Sequence, residues 1–161
     1  MPAASARVHH ALVIDSDPRT SQHSVAALLA AGFDVVAAAD CQSARLAVRQ
    51  RCVELIVCDV YVGDESGLEL TRELRDMPAM DEVPVMFLSV SQLTDIIRRV
   101  HGAVGTYYLR KPADAQVLGD LARAAVADNL RGVTRVNRGH LSPAAPRGIT
   151  RPTSPAAEAF A

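Results

Sequence analysis

Short apolar runs alternate with segments of helical periodicity five times along the first 130 residues. Apolar runs of this length are typical of strands, and apolar positions three or four residues apart are typical of amphipathic helices. The predicted strands are Ala11–Asp15, Asp34–Ala39, Glu54–Val60, Val83–Val90 and Thr106–Arg110. The predicted helices are Pro18–Ala31, Cys41–Arg51, Gly67–Met77, Gln92–Ala103 and Ala113–Leu130.

Local signals support these boundaries. Asp17 precedes Pro18, which is a helix cap followed by proline at the first helical position. Gly32 follows the end of the same helix, where a left-handed residue is favoured. The third and fourth strands are almost wholly apolar, as strands covered on both faces are.

The alternation of strands and helices with short connections predicts a parallel sheet with right-handed crossovers. Five such units in about 125 residues favour an α/β protein with a flavodoxin-like (βα)5 doubly wound sheet, strand order 2-1-3-4-5. We therefore expect one domain over residues 8–130, with a disordered N-terminus at residues 1–7.

The C-terminal residues differ in composition from the first 130 residues. Residues 131–161 carry prolines among Ala, Arg, Ser and Thr without an apolar period, which predicts a disordered Pro/Ala/Arg-rich tail and no effector domain. Residues 1–130 hold 17 acidic and 12 basic residues, whereas the tail holds five arginines and one glutamate. Because nucleic-acid phosphates demand a basic surface, we expect no direct nucleic-acid binding and an output through protein contacts.

Two further features concern the compartment. The three cysteines, Cys41, Cys52 and Cys58, form an odd set without CxxC spacing, which favours reduced thiols. No apolar run approaches the roughly 20 residues of a membrane helix, and no signal peptide is recognisable. We expect a cytoplasmic protein without a membrane anchor.

Four predicted strands end in polar residues that could act together. The first strand ends at Asp15 and the third at Asp59, while Ser89 ends the fourth and Lys111 follows the fifth. Open α/β sheets bind ligands at this edge. Lys111 is also the only lysine among 17 basic residues, which indicates a specific task for its ammonium group.

These groups suit phosphoryl chemistry. Two carboxylates about 5 Å apart repel by roughly 3 kcal/mol at an effective dielectric constant of about 20, and a divalent cation such as Mg²⁺ would offset that repulsion. A carboxylate beside Mg²⁺, a hydroxyl and a lysine is a site for phosphoryl transfer to the carboxylate. Taken singly, each residue also has a structural interpretation, since Asp15-Ser16-Asp17 could cap the first helix and Ser89 could begin the fourth.

Together, the residues resemble the receiver domain of bacterial response regulators, over about residues 8–130. The resemblance implies that Asp59 is the phosphoacceptor and that Mg²⁺ is held by Asp15, Asp59 and the backbone carbonyl of Tyr61. It implies that the Ser89 hydroxyl and the Lys111 ammonium bind the phosphoryl oxygens.

The resemblance also assigns conformational roles. Lys111-Pro112 would be a cis peptide, and Gly67 would close the loop after the acceptor. Tyr108 stands where the family keeps an aromatic side chain that follows the hydroxyl residue, although Tyr107 is its neighbour. The switching surface would comprise the fourth helix, the fifth strand and the fifth helix, a surface that could also form a homodimer.

The chain departs from the family pattern near the acceptor. Ser16 stands where a second acid is usual, so either Ser16 or Asp17 would complete the Mg²⁺ ligands. Gly63 replaces a usual proline, which predicts a looser loop.

The preferred hypothesis is a receiver that accepts a phosphoryl group from a histidine kinase or phosphotransfer protein and then presents an altered surface to a downstream protein. It would assist only its own phosphorylation and dephosphorylation. One alternative is a pseudo-receiver that binds partners without phosphorylation, for which Ser16 is the main support. Another is a haloacid-dehalogenase-like phosphatase with Asp15 as nucleophile, but only Asp114 and Asp120 could supply the later carboxylates it requires.

Overall fold

The computed structural model describes residues 7–90 and 106–136, with side chains described as far as residue 130. The strands are β1 (His10–Ile14), β2 (Asp34–Ala38), β3 (Leu55–Asp59), β4 (Tyr61–Val62), β5 (Glu65–Ser66), β6 (Val85–Ser89) and β7 (Thr106–Arg110). The helices are α1 (Pro18–Ala30), α2 (Cys41–Gln50), α3 (Gly67–Arg75) and α4 (Ala115–Val136).

Five strands form one parallel sheet in the order β2-β1-β3-β6-β7, which confirms the predicted topology. The order reverses between β1 and β3, so the topological switch point lies where these two strands end. Their register pairs Ile14 with Cys58, and Asp59 pairs with Leu88 of β6. Strands β4 and β5 form a separate antiparallel hairpin just beyond β3.

The sheet is buried between two helical layers. Alternating side chains of β1 point to opposite faces, so Leu12 and Ile14 join a cluster with α2 and α3, whereas Ala11 and Val13 join a cluster with α1 and α4. This double coverage explains the nearly continuous apolar sequences of the central strands. Among the described residues, no helix is long and apolar enough to cross a membrane.

The helix boundaries reflect the capping residues. The Asp17 carboxylate accepts a hydrogen bond from the Arg19 amide at 2.9 Å and caps α1. Gly32 has φ of +92°, which confirms the predicted left-handed residue after α1. Asp114 caps α4 by accepting from the Gln116 amide at 2.9 Å, so that helix begins at Ala115 and not at the predicted Ala113.

The described structure extends past the predicted domain bounds at both ends. Helix α4 continues through Val136, six residues beyond its predicted end, because a formed helix gains one hydrogen bond per added residue and the first proline downstream is Pro143. At the N-terminus, the Arg7 guanidinium contacts Glu54 at 2.7 Å, so residue 7 belongs to the folded domain. Residues 1–6, the predicted helix Gln92–Ala103 and the tail from residue 137 lie outside the described residues.

Candidate functional site

The carboxyl ends of the parallel strands bring the predicted site residues to one edge of the sheet. Asp15 follows β1 and Asp59 ends the neighbouring β3. Ser89 ends β6 and is 2% exposed. The Lys111 amide donates to the Ser89 carbonyl at 2.8 Å, which fixes the start of the loop after β7 beside β6.

Lys111 joins the two carboxylates. Its Nζ atom lies 2.7 Å from Asp15 Oδ2 and 2.7 Å from Asp59 Oδ2. The exposed fractions of the side chains are 8% for Lys111, 2% for Asp15 and 20% for Asp59. Burial alone would lower the pKa of Lys111, but the hydrogen bonds and charges of the two carboxylates outweigh it, so this pKa lies above its usual value. The ammonium therefore stays charged and offsets the repulsion between the acids.

Asp15 receives two more hydrogen bonds. The Asp17 amide donates to Oδ1 at 2.9 Å, and the Thr20 hydroxyl donates to Oδ2 at 2.5 Å. Thr20 lies in the first turn of α1, and its oxygen is also 3.4 Å from Lys111 Nζ. Sequence reasoning missed Thr20, because a threonine near the start of a helix carries no signal that distinguishes it from ordinary surface residues.

Asp59 is contacted by the residues that follow it in the chain, from Tyr61 to the start of α3. The Tyr61 amide contacts Asp59 Oδ1 at 3.3 Å, whereas the Tyr61 side chain is 59% exposed. A Cβ atom at Gly67 would lie 1.9 Å from the Asp59 carbonyl oxygen, so α3 approaches β3 in a way that only glycine permits. The resemblance implies a different statement of the same role, that Gly67 closes the loop after the acceptor.

Ser16 ties two loops together. Its hydroxyl oxygen accepts from the Gly63 amide at 3.0 Å, which joins the β1–α1 loop to the β4–β5 hairpin. Gly63 has φ of +61°, a conformation that proline cannot adopt. The looser loop expected from Gly63 stays a prediction. Asp17 is exposed and serves as the cap of α1.

The oxygen atoms at this edge suit a hard cation. Within residues 7–90 and 106–136, no three or more His, Cys, Asp or Glu residues form a group that could hold a metal ion. The pair Asp15 and Asp59 instead offers two carboxylates that both contact Lys111, a sparse set of oxygen ligands that leaves coordination positions for water. Mg²⁺ favours such sets, whereas zinc sites need three or four protein ligands, usually with nitrogen or sulfur. The chemistry of the residues therefore fits Mg²⁺.

The two tyrosines of β7 point to different layers. Tyr108 stacks on Phe87 with ring centroids 5.7 Å apart and packs against the α2 and α3 cluster. Tyr107 packs against the α1 and α4 cluster. Burial raises the pKa of Tyr108 despite the opposing charge of Arg75. Of these two tyrosines, Tyr108 is the one whose ring stacks on Phe87, two residues before Ser89 on β6.

Groups that a phosphatase would require are engaged elsewhere. Asp114 caps α4, and Asp120 forms an exposed ion pair with Arg123.

The Lys111-Pro112 bond is cis, as the resemblance predicted. All three cysteines are free thiols, and burial, reinforced by nearby Asp59, raises the pKa of Cys58 far above its usual value.

The fold and this site define a flavodoxin-like domain with an acidic pocket at its topological switch point. The sequence profile of the response regulator receiver domain matches residues 11–123, so the chain belongs to that family of two-component signalling proteins. Phosphorylation of an aspartate is a general property of the family.

Individual relatives agree with this assignment. Protein PetR of Rhodobacter capsulatus is 34% identical over 116 residues, covering 71% of this chain and 47% of PetR. Regulatory protein VirG of Agrobacterium fabrum is 30% identical over 123 residues, covering 76% of this chain and 47% of VirG. The chain thus spans about half the length of the curated relatives it matches.

Solved structures agree in fold. The signal receiver domain of an HD domain-containing protein from Pseudomonas fluorescens Pf-5 superposes with a TM-score of 0.71 and 21% identity, covering 83% of this chain and 97% of that domain. The chemotaxis response regulator CheY4 of Vibrio cholerae gives a TM-score of 0.68 and 20% identity, covering 74% of this chain and 99% of CheY4.

Proposed function

We propose that Asp59 accepts a phosphoryl group from the phosphohistidine of a histidine kinase or a phosphotransfer protein. One observation carries the proposal: a single buried ammonium, Lys111, contacts both carboxylates at 2.7 Å where the two central strands end. Of these carboxylates, Asp59 is 20% exposed and Asp15 only 2% exposed, so Asp59 is the one that a donor can reach.

The transfer is a substitution at phosphorus. An Asp59 carboxylate oxygen attacks the phosphorus atom, the P–N bond breaks, and the imidazole leaves with the bonding electron pair. Lys111 then turns from both carboxylates to a phosphoryl oxygen, and the Ser89 hydroxyl donates to another. Because both residues are buried, their interactions with the new charge are stronger than they would be in water.

Mg²⁺ belongs to the proposed reaction. Asp15, Asp59 and the Tyr61 carbonyl would hold it, and when bound it would neutralise charge on the transferred group. Of the two remaining candidates, Ser16 is favoured, because its hydroxyl oxygen contacts the β4–β5 hairpin that carries Tyr61 and retains a lone pair after accepting from Gly63, whereas the exposed Asp17 caps α1 through Oδ1.

The proposed output is a change in the surface around Tyr108. Phosphorylation would draw the Ser89 hydroxyl toward the new oxygens. Tyr108 of β7 would follow, because its ring stacks on Phe87, which lies in β6 together with Ser89. Couplings of this kind are typically about 1–3 kcal/mol, which shifts a pre-existing equilibrium several-fold to about a hundredfold.

We further propose that a downstream protein reads this surface, in keeping with the net negative charge of residues 1–130. The curated relatives include one whose name is DNA-binding response regulator, MtrA of Mycolicibacterium smegmatis. The present chain matches half of that protein's length, and a lack of nucleic-acid binding stays a prediction here.

A beryllofluoride titration with Mg²⁺ tests the phosphoacceptor, because beryllofluoride bound to a carboxylate mimics a phosphoryl group. Amide chemical shifts of wild type should change at Ser89 and Tyr108. Asp59→Ala should give no such change, whereas Asp64→Ala, which alters an exposed acid in the neighbouring β4–β5 hairpin, should respond like wild type. An unresponsive wild type, or an Asp59→Ala variant that responds equally, would contradict the proposal.

A further inference from the structure

Thr20 is bound into the acidic site although it is not one of the residues through which the resemblance was drawn. Its hydroxyl lies 2.5 Å from Asp15 Oδ2, 3.3 Å from the Asp17 carbonyl oxygen and 3.4 Å from Lys111 Nζ. A hydroxyl donates one hydrogen, and the shortest of these contacts assigns it to Asp15. The ammonium of Lys111 is itself a donor, so it faces the lone pairs of Thr20 and favours the same hydroxyl orientation.

We propose that Thr20 is a positioning residue that holds Asp15 in its metal-binding orientation after Lys111 moves to the phosphoryl group. The proposal rests on the function proposed above, in which Lys111 changes partners.

The need for a second donor follows from burial. Asp15 is 2% exposed, and its Oδ2 atom accepts from two side chains, Lys111 and Thr20. When Lys111 turns away, Thr20 is the side chain that still donates to this oxygen among the contacts described for it. A buried carboxylate oxygen that loses its donors is costly, and the side chain would rotate or the ion would be destabilised.

The location of Thr20 makes this donor rigid. It lies in the first turn of α1, where Asp17 caps the helix, and the same helix buries Ser24 and Leu28 against the sheet. Its hydroxyl is therefore fixed by the helix, whereas the long Lys111 side chain can swing. The Asp17 amide holds the other oxygen of Asp15 at 2.9 Å, so backbone and Thr20 together define the carboxylate plane.

Because residue 16 is a serine, the contact between Thr20 and Asp15 is more important for Mg²⁺ binding. With a hydroxyl where the family usually has a second acid, Asp15 is the single carboxylate that the β1–α1 loop directs into the site, since Asp17 serves as a cap. Any disorder of the Asp15 carboxylate would therefore lower the affinity for Mg²⁺ directly. We therefore expect the effect of Thr20 to depend on the state of Asp59.

The test compares Mg²⁺ dissociation constants in two states, with and without beryllofluoride, by following amide shifts. Thr20→Val should weaken Mg²⁺ binding about tenfold in the beryllofluoride state, the effect of one charge-assisted hydrogen bond, and less than about threefold in the free protein, where Lys111 still holds Asp15. Thr20→Ser should behave like wild type. Thr71→Val is the matched control, because its hydroxyl bonds only to Leu68 of its own helix among the contacts described for it.

Equal affinities of Thr20→Val and wild type in the beryllofluoride state would overturn the proposal, as would an equal loss in both states, which indicates a merely structural role. If Thr20→Val fails to fold, Thr20→Ala provides the same comparison. A wild type that binds no beryllofluoride would reject the proposed function and this inference with it. If wild type binds beryllofluoride and Thr20→Val binds Mg²⁺ as tightly as wild type in that state, only the inference about Thr20 would be rejected.

Discussion

Replacing Lys111 by methionine tests the charge balance of the site. Methionine keeps an unbranched side chain of similar length but removes the ammonium that contacts Asp15 and Asp59. The variant therefore retains most of the packing around Lys111 while leaving two neighbouring carboxylates without their shared cation.

The magnitude follows from the geometry. Because each Oδ2 atom lies 2.7 Å from Nζ, the two carboxylate oxygens are at most about 5.4 Å apart. At an effective dielectric constant of about 20, their repulsion is about 3 kcal/mol. Breaking a buried ion pair by removing one partner typically costs about 3–5 kcal/mol. Since Asp59 is partly exposed, we expect Lys111→Met to lower the free energy of unfolding by about 3 kcal/mol.

Urea unfolding followed by circular dichroism in EDTA measures this loss. Arg45→Met is the matched control, because it removes a cation that contacts Glu73 at 2.9 Å on the surface, and exposed pairs contribute about 0–1 kcal/mol. Mg²⁺ should partly rescue Lys111→Met, by about 1.4 kcal/mol at ten times its dissociation constant.

The pH dependence has a definite sign. The pKa of Lys111 in the folded protein lies above the ordinary value of 10.5, so its stabilising contribution is complete below that pH and is lost as the pH rises through the folded pKa. The difference between wild type and Lys111→Met should shrink in that alkaline range. A loss no larger than that of Arg45→Met, or a difference that grows at high pH, would refute the reasoning.

Four further variants address the surroundings of the site. Gly67→Ala places a Cβ atom 1.9 Å from a carbonyl oxygen and should destabilise the fold by about 3 kcal/mol, whereas Gly63→Ala, with φ of +61° and open space, should lose only about 1 kcal/mol in urea unfolding. Ser16→Asp should tighten Mg²⁺ binding at least tenfold by calorimetry, since a carboxylate is the better ligand; unchanged affinity would contradict that role. Asp17→Ala should cost about 1 kcal/mol of stability with Mg²⁺ affinity unchanged, and a large loss of affinity would make Asp17 a ligand.

The sequence was sufficient to predict the strand order and the polar edge of the sheet, because both depend on periodicity. Apolar runs identify strands, alternation with helices makes them parallel, and parallel strands end together. The sequence therefore predicts that Asp15, Asp59 and Lys111 lie in one crevice. In the structure, Lys111 Nζ lies 2.7 Å from a carboxylate oxygen of each acid, while the roles of these residues stay a prediction.

Long-range side-chain contacts could not be predicted. Thr20 and Ser16 are short polar residues near a helix start, where capping is the ordinary role, and only the fold places them against Asp15 and Gly63. The register of two chain segments that are 47 residues apart decides the Ser16 contact. The extra length of α4 was missed because its last residues, through Val136, lack an apolar period.

Direct identification of the modified residue tests the central claim. Wild-type protein would be incubated with acetyl phosphate and Mg²⁺, reduced with borohydride, which converts an aspartyl phosphate to homoserine, and digested with trypsin. Asp15 and Asp59 fall in separate tryptic peptides, residues 8–19 and 52–72, and fragmentation within the second distinguishes Asp59 from Asp64. We predict homoserine at position 59, dependent on Mg²⁺. Homoserine at position 15 or 64, or at neither peptide, would contradict the account.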